Sequence, residues 1–279
     1  MSFSLRFIVD TSHSAAFNMA ADLFLMEQCT AESAVCVRFY SWQPPAVTIG
    51  RMQHAGNQLD CTALERDGVS WIRRPTGGRA VLHCEDLTYS CIFPRTNTEM
   101  GGSVAATYAA ITRCLARGLK EAGIETTLQD SVSPLIRSGR EIKLPCFLAP
   151  NRHEIMVRGR KLIGSAQYRS ASAVLQHGSL PLSKAYRRLP KYLPVSKEEQ
   201  CRQMALLAEK SISLEEIDST ISSPQLIAAF KNGFAATLDC RPYEEVWREE
   251  ELKGIERMLQ DSKFQERCRA DHPAPCSVE

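Results

Sequence analysis

Arg73-Arg74-Pro75-Thr76-Gly77-Gly78-Arg79-Ala80-Val81-Leu82-His83 is the stretch around which the rest of the chain is organised. Two adjacent glycines lack Cβ and reach positive φ at little cost, so a turn there can press its N–H groups against a ligand. The arginines before it offer forked cationic donors. The apolar run that ends at His83 reads as a strand leaving the turn. Well downstream, Cys146 adds a thiol, a group that can carry a covalent intermediate at neutral pH.

Working outward, residues 5–10 read as an opening strand and residues 14–28 as a helix, with Ala, Met and Leu at helical spacing. Residues 35–40 and 46–50 read as strands flanking a turn at Pro44-Pro45, and residues 69–72, 80–83 and 88–93 as three more. Ser103 is placed as the N-cap of an amphipathic helix over 104–121 stopped at Gly123, with an anion nest of the same N–H groups as the alternative. Residues 125–182 return to a strand pattern, in which Arg158-Gly159 divides 153–157 from 161–169 as a hairpin. Beyond Pro194 the pattern is helical over 198–210, 223–238 and a charged stretch at 243–268; residues 271–279, with two prolines, are expected to fray. Strands and helices in irregular order predict an α+β fold with a mixed, largely antiparallel sheet flanked by helices and a helical C-terminal segment.

The 279 residues suffice for one large core, or a domain with a small appendage. At 44% apolar and 24% charged the composition is that of a soluble globular protein, and a net charge of +2 argues against nucleic-acid binding driven by bulk charge. No apolar run is long enough to cross a bilayer, and residues 1–6 lack the layout of a secretory signal, so a cytoplasmic location is expected. The eleven cysteines are odd in number and form no C-x-x-C, which supports neither a zinc knuckle nor a redox pair. Cys29, Cys36, Cys91 and Cys114 lie in apolar-periodic segments and are expected to be small buried hydrophobes.

His153-Glu154 begins like a zincin but has no second histidine at the required spacing. No glycine-rich loop ends in Gly-Lys-Ser/Thr, and Gly164-Ser165-Ala166 is not a nucleophile elbow. In a regular strand Lys161, Ile163, Ser165 and Gln167 share one face, and Leu162, Gly164, Ala166 and Tyr168 the other. The first face reads equally as a polar pocket wall or a solvated sheet surface. Cys146 sits between Pro145 and Phe147, with Pro150 beyond, a rigid setting that fits either a core residue or a nucleophile. A neighbouring ammonium would favour its thiolate; Lys161 is a candidate cation, and His83, His153 and His177 are candidate bases. The basic clusters at 137–143 and 187–191 are either steering charge for an acidic partner or solvated loop charge.

These residues resemble a known family. The likeness runs through Asn18-Met19-Ala20-Ala21-Asp22, through Arg38-Phe39-Tyr40-Ser41-Trp42-Gln43-Pro44-Pro45-Ala46-Val47-Thr48-Ile49-Gly50-Arg51, and through Arg73 to His83. It continues at Leu87-Thr88-Tyr89-Ser90, Cys146-Phe147, Gly159-Arg160-Lys161-Leu162-Ile163-Gly164-Ser165-Ala166-Gln167 and Leu175-Gln176-His177-Gly178-Ser179. The chain is similar to the cysteine-dependent octanoyltransferases of lipoyl-cofactor assembly, in the biotin- and lipoate-protein ligase superfamily. The resemblance implies that superfamily's catalytic fold, with an acyltransferase domain over residues 1–242 (ligase-like core about 33–242) and a C-terminal helix and tail over 243–279. It implies transfer of an octanoyl group from octanoyl-acyl carrier protein to a lysine of a lipoyl-domain protein, such as the glycine-cleavage H protein, through a thioester on Cys146. Lys161 would lower the thiol pKa and steady the oxyanion; Arg73, Gly77, Gly78 and His83 would line the acyl and pantetheine pocket, with Ser165 and Gln167 behind it. No cofactor, metal, nucleic acid or membrane is implied.

Two departures from the family pattern stand out. Leu148 to Glu154 lacks the serine and aromatic that relatives usually carry before the glutamate. Arg79 replaces the third glycine of ATP-using lipoate ligases, where its side chain is expected to crowd a nucleotide. The alternatives to octanoyl transfer are an ATP-dependent lipoate–protein ligase on the same fold, an amidotransferase that moves octanoyl between lipoyl domains, and a non-catalytic acyl- or lipoyl-domain-binding subunit. Arg79 weighs against the first, the Cys146-Phe147 context against the second, and Cys146 with Lys161 against the third.

Overall fold

The computed structural model describes residues 4–97, 99, 100, 102–129, 145, 147 and 154–269. In chain order the elements begin with β1 (Leu5–His13), α1 (Ala15–Glu27), β2 (Val35–Trp42), β3 (Ala46–Ile49), α2 (Ala55–Gln58), α3 (Cys61–Arg66), β4 (Ser70–Arg73), β5 (Val81–His83) and β6 (Asp86–Pro94). There follow α4 (Val104–Glu121), β7 (Thr127–Gln129), β8 (Glu154–Val157), β9 (Arg160–Arg169), β10 (Ala173–Pro181) and a 3-10 segment (Lys184–Tyr192). The last described elements are α5 (Lys197–Lys210), α6 (Leu214–Ile217), α7 (Ser223–Leu238), β11 (Pro242–Glu244), α8 (Glu249–Gln260) and α9 (Ser262–Arg269).

Among the described residues eight strands form one sheet in the order β11-β1-β2-β6-β10-β9-β8-β7, and β4-β3-β5 form a second. Pairs β1–β11, β1–β2 and β3–β4 are parallel and the remaining ladders antiparallel. The α+β fold expected from the sequence is therefore the one observed. Alternation in the central strands divides the core. Val35, Val37 and Phe39 of β2 face one side with Tyr89, Cys91 and Phe93 of β6, covered by Leu115 of α4 and Phe230 and Phe234 of α7. Cys36, Tyr40 and Trp42 face the other with Ile92 and Leu175, covered by α1 and by Ile255 and Phe264 of α8 and α9.

Local chemistry accounts for several boundaries. Ser103 Oγ accepts the Ala106 N–H at 3.1 Å, and Gly123 takes φ +81° just past the helix end, so α4 begins and stops where its cap residues dictate. Arg158 and Gly159 both adopt positive φ (50° and 71°), a turn whose twist matches the β8–β9 strands it joins. Other boundaries differ from the sequence reading. β1 runs on to His13, and the stretch at 243–268 divides into α8 and α9. Pro242–Glu244 forms an edge strand because it lies along β1, a long-range pairing without a local signal. Cys36, Cys91 and Cys114 are buried free thiols as expected, and burial pushes the Cys36 thiol up to about 12. The 271–279 tail and the basic cluster at 137–143 lie outside the described residues.

Candidate active site

A narrow cleft with an accessible volume of about 30 Å³ opens where the small sheet meets the large one. Its walls come from Met19 of α1, Trp42 of β2, Val81 of β5, Thr88 of β6 and the Gly164–Ala166 stretch of β9. The polar residues at its base are bonded among themselves. Arg74, 5% exposed, donates from Nη1 to Thr48 Oγ1 (3.2 Å) and from Nε to Thr76 Oγ1 (3.1 Å). Thr48 meets His83 Nε2 at 3.0 Å, and Thr76 meets His177 Nε2 at 2.7 Å. The far ring nitrogens reach carboxylates: His83 Nδ1 lies 2.8 Å from Asp86 Oδ2, and His177 Nδ1 3.5 Å from Asp22 Oδ2. One arginine thus feeds two parallel Thr–His–Asp chains. A carboxylate oxygen accepts, so each ring sets Nδ1–H toward its aspartate and turns Nε2 to the threonine hydroxyl.

Both carboxylates accept further hydrogen bonds. Asp86 Oδ2 also accepts from Thr88 Oγ1 (3.0 Å) and Ser179 Oγ (2.6 Å), while Asp22 accepts from Arg38 (3.2 Å), Tyr40 (3.0 Å) and Ser90 (2.8 Å). Burial holds the His177 pKa below the usual imidazole range, although Asp22 pulls it upward, so its ring is neutral at neutral pH. His83 stacks on Trp42 with ring centroids 4.0 Å apart. With their nitrogens engaged, the two histidines turn carbon toward the cleft, a wall suited to an apolar chain.

The strand-face reading of β9 needs correction. The β8–β9 register shifts between Ile155↔Ile163 and Met156↔Lys161, a β-bulge that puts an extra residue into β9. A Cβ built on Gly164 would lie 3.6 Å from Lys161 Cε, so Lys161 sits on the Gly164 side of the sheet. Ser165 and Gln167 face the other side, where Ser165 Oγ bonds Tyr89 Oη (2.8 Å) and Gln167 bonds Gln176 (3.1 Å). Lys161, 4% exposed, contacts the Glu154 carboxylate, and its Nζ lies 5.7 Å from the centroid of the Phe147 ring. Phe147 packs with Val81, which lines the cleft. Lys161 therefore stands at the edge of the cleft.

The other sequence-derived candidates fall as follows. His83 lines the cleft, and Ser165 borders it along β9 although its hydroxyl is turned to Tyr89. Arg73 turns away, donating to the Gln53 carbonyl (3.2 Å) and the Arg267 carbonyl of α9 (3.3 Å), and Arg74 occupies the cleft instead. Gly77 and Gly78 are exposed. Their loop lies against β3, where a Cβ on Gly50 would stand 2.0 Å from the Gly78 carbonyl oxygen. Of the basic cluster at 187–191, Arg187 pairs with Glu216 and Arg188 donates to Cys84 Sγ (3.0 Å). Cys146 and His153 lie outside the described residues. Sequence reasoning read both arginines as cationic donors at the turn but carried only Arg73 forward as a site residue, and it did not single out Asp86 or Glu154.

The site is a largely carbon-walled cleft between two sheets, with Lys161 packed beside the Gly164 wall. The family model for the lipoyl protein ligase A/B catalytic domain matches residues 14–235, and the chain belongs to that family. It is 33% identical to octanoyltransferase LipM of Lysinibacillus sphaericus (strain C3-41), over 90% of this chain and 92% of the relative. It is 35% identical to octanoyltransferase LipM of Bacillus anthracis, over 89% and 91%. With these relatives it is an acyltransferase. Among solved structures it resembles the bi-partite lipoate protein ligase of Thermoplasma acidophilum (TM-score 0.78, 17% identity, 99% of both chains). It also resembles a lipoate-protein ligase A bound with ATP (TM-score 0.73, 19% identity, 95% and 96%). At those identities the likeness is one of fold. Among the described residues no helix is long and apolar enough to cross a membrane.

Proposed function

We propose that this protein transfers an octanoyl group to a lysine of a lipoyl-domain protein in lipoyl-cofactor biosynthesis, with octanoyl-acyl carrier protein as donor and a Cys146 thioester as intermediate. The observation that carries the reading is the likeness to octanoyltransferases along nine-tenths of the chain. The apolar lining of the cleft supports it in character. In the first half-reaction the Cys146 thiolate attacks the donor's thioester carbonyl, and the tetrahedral intermediate expels the carrier's thiolate. In the second, the acceptor's neutral amine attacks the enzyme thioester, the C–S bond breaks, and the amine's proton leaves to solvent. Lys161, placed by its contacts with Glu154 and Phe147, would steady the oxyanion in both steps, where charge appears only transiently. Support for pairing it with Cys146 comes from Phe147, the next residue in sequence, which packs against Lys161. The glycine-cleavage H protein is the acceptor that the family resemblance suggests.

The test is intact-mass measurement after incubation with octanoyl-acyl carrier protein. One octanoyl mass should appear, map to Cys146 and be removed by hydroxylamine. Cys146→Ser should abolish transfer to the lipoyl domain, and Lys161→Ala should move the pH profile of Cys146 alkylation to higher pH. A requirement for ATP and free octanoate would replace this reading with ligation.

A further inference from the structure

Three glycines around the cleft are glycine for different reasons. A Cβ on Gly50 would collide with the Gly78 carbonyl at 2.0 Å. One on Gly178 would stand 2.6 Å from the Tyr89 ring and 2.7 Å from the Gly164 carbonyl oxygen. At both positions the protein's own atoms leave no room for a side chain. Gly164 lacks that constraint. Its φ lies outside the left-handed region, and the nearest neighbours of a Cβ would be the Phe147 ring at 3.5 and 3.7 Å and Lys161 Cε at 3.6 Å. Those are ordinary contact distances. Gly164 is also inside a strand, paired opposite Ser179, where a glycine weakens the sheet and an alanine would restrict the unfolded chain. The fold accepts a methyl group here, in ordinary contact with Phe147 and Lys161; Gly164 itself lines the cleft.

We propose that Gly164 is a specificity-determining residue. Its missing side chain keeps open a narrow slot beside Lys161 that admits an unbranched acyl chain and rejects one branched next to the carbonyl. This rests on the acyl-transfer reading above. The lysine stem and the phenyl ring bound the slot, and both are held: Phe147 is 5% exposed and Lys161 4%. A straight chain presents only methylene hydrogens to the strand backbone. A branch methyl on the substrate, or a Cβ on residue 164, would claim the same volume.

The experiment compares wild-type protein with Gly164→Ala, using octanoyl- and 2-methyloctanoyl-acyl carrier protein as donors. The wild type should disfavour the branched donor by about tenfold or more in kcat/KM, the range one misplaced carbon commands in a fitted pocket. Gly164→Ala should lose about the same factor on the octanoyl donor while its melting temperature is unchanged or raised. Alkylation of Cys146 by iodoacetamide, which carries no chain, should proceed at the wild-type rate in the variant. The proposal is overturned if the variant uses octanoyl donor as the wild type does, or if alkylation falls in parallel, which would mean that the methyl acts through Lys161. A wild type that transfers nothing from the octanoyl donor removes the acyl-transfer reading itself, and is seen before any variant is made.

Discussion

Arg38 has no exposed surface, and its charge is neutralised on every side. It reaches Asp10 (2.8 Å), Asp22 (3.2 Å) and Asn18 Oδ1 (2.7 Å), and its guanidinium lies 3.9 Å from the centroid of the Tyr40 ring. Burial opposes ionisation of Asp10, but Arg38 and the hydrogen bonds from Trp247 and His13 outweigh it and hold its carboxyl below the usual range. Arg38→Met should therefore strand two carboxylates and cost about 3–5 kcal/mol in urea unfolding, far more than the loss of an exposed ion pair. Asp22 joins this network to His177, so residues that the sequence offers as separate motifs act as one buried support beneath the cleft. Arg74 has the same character. Its donors go to two threonines and to the Gly77 and Arg79 carbonyls (2.8 Å each), which ties the glycine turn to both histidine chains.

Among the elements, the bulge in β9 has the largest consequence, because one extra residue carries Lys161 from the Ser165 side of the sheet to the Gly164 side. On the opposite face, α4 and α7 cross at two glycines. A Cβ on Gly233 would lie 2.4 Å from the Gly118 N, and one on Gly118 2.8 Å from the Phe230 Cα and the Ala229 carbonyl. Gly233→Ala should force the helices apart and cost about 1–3 kcal/mol, a fall of roughly 2–4 °C in melting temperature for each kcal/mol. Calorimetry checks the stability loss. Because this crossing belongs to the core that faces away from the cleft, octanoyl transfer below the melting transition should stay near the wild-type rate.

At the scale of the molecule, single carboxylates join segments far apart in sequence. Glu251 of α8 accepts from Arg6 of β1 (2.6 and 2.8 Å), and Trp247 donates to Asp10 (2.8 Å), so the C-terminal helices are fastened to the first strand. Glu216 binds Arg187 (2.5 Å), Arg160 (3.2 Å) and the Ser213 N–H (3.0 Å) and hydroxyl (2.9 Å), joining β9, the 3-10 segment and α6. Burial works against its charge, yet these donors prevail and hold its pKa at about 2, below the ordinary 4.5. A carboxyl lowered by folding stabilises above its unfolded pKa and loses that contribution as pH falls. Glu216→Gln should thus cost about 1 kcal/mol at pH 7, most of the pair's value being screened at a partly exposed site. The difference from wild type should vanish as pH drops from about 4.5 to about 2 in a series of thermal melts.

The sequence by itself determined the α+β class, the caps of α4, the Arg158-Gly159 hairpin, the buried cysteines and the neighbourhood of the cleft. Each of these is set within a few residues, by a side-chain cap, a positive φ or an alternation of apolar positions. Only the tertiary structure decided which arginine of the Arg73-Arg74 pair enters the cleft, that β11 joins β1, that Asp22 and Asp86 stand behind two histidines, and that Lys161 lies beside Gly164 rather than Ser165. A strand carries no mark of its own bulge, and a carboxylate no mark of its distant donors. Both depend on partners that come close only when the sheets pack together.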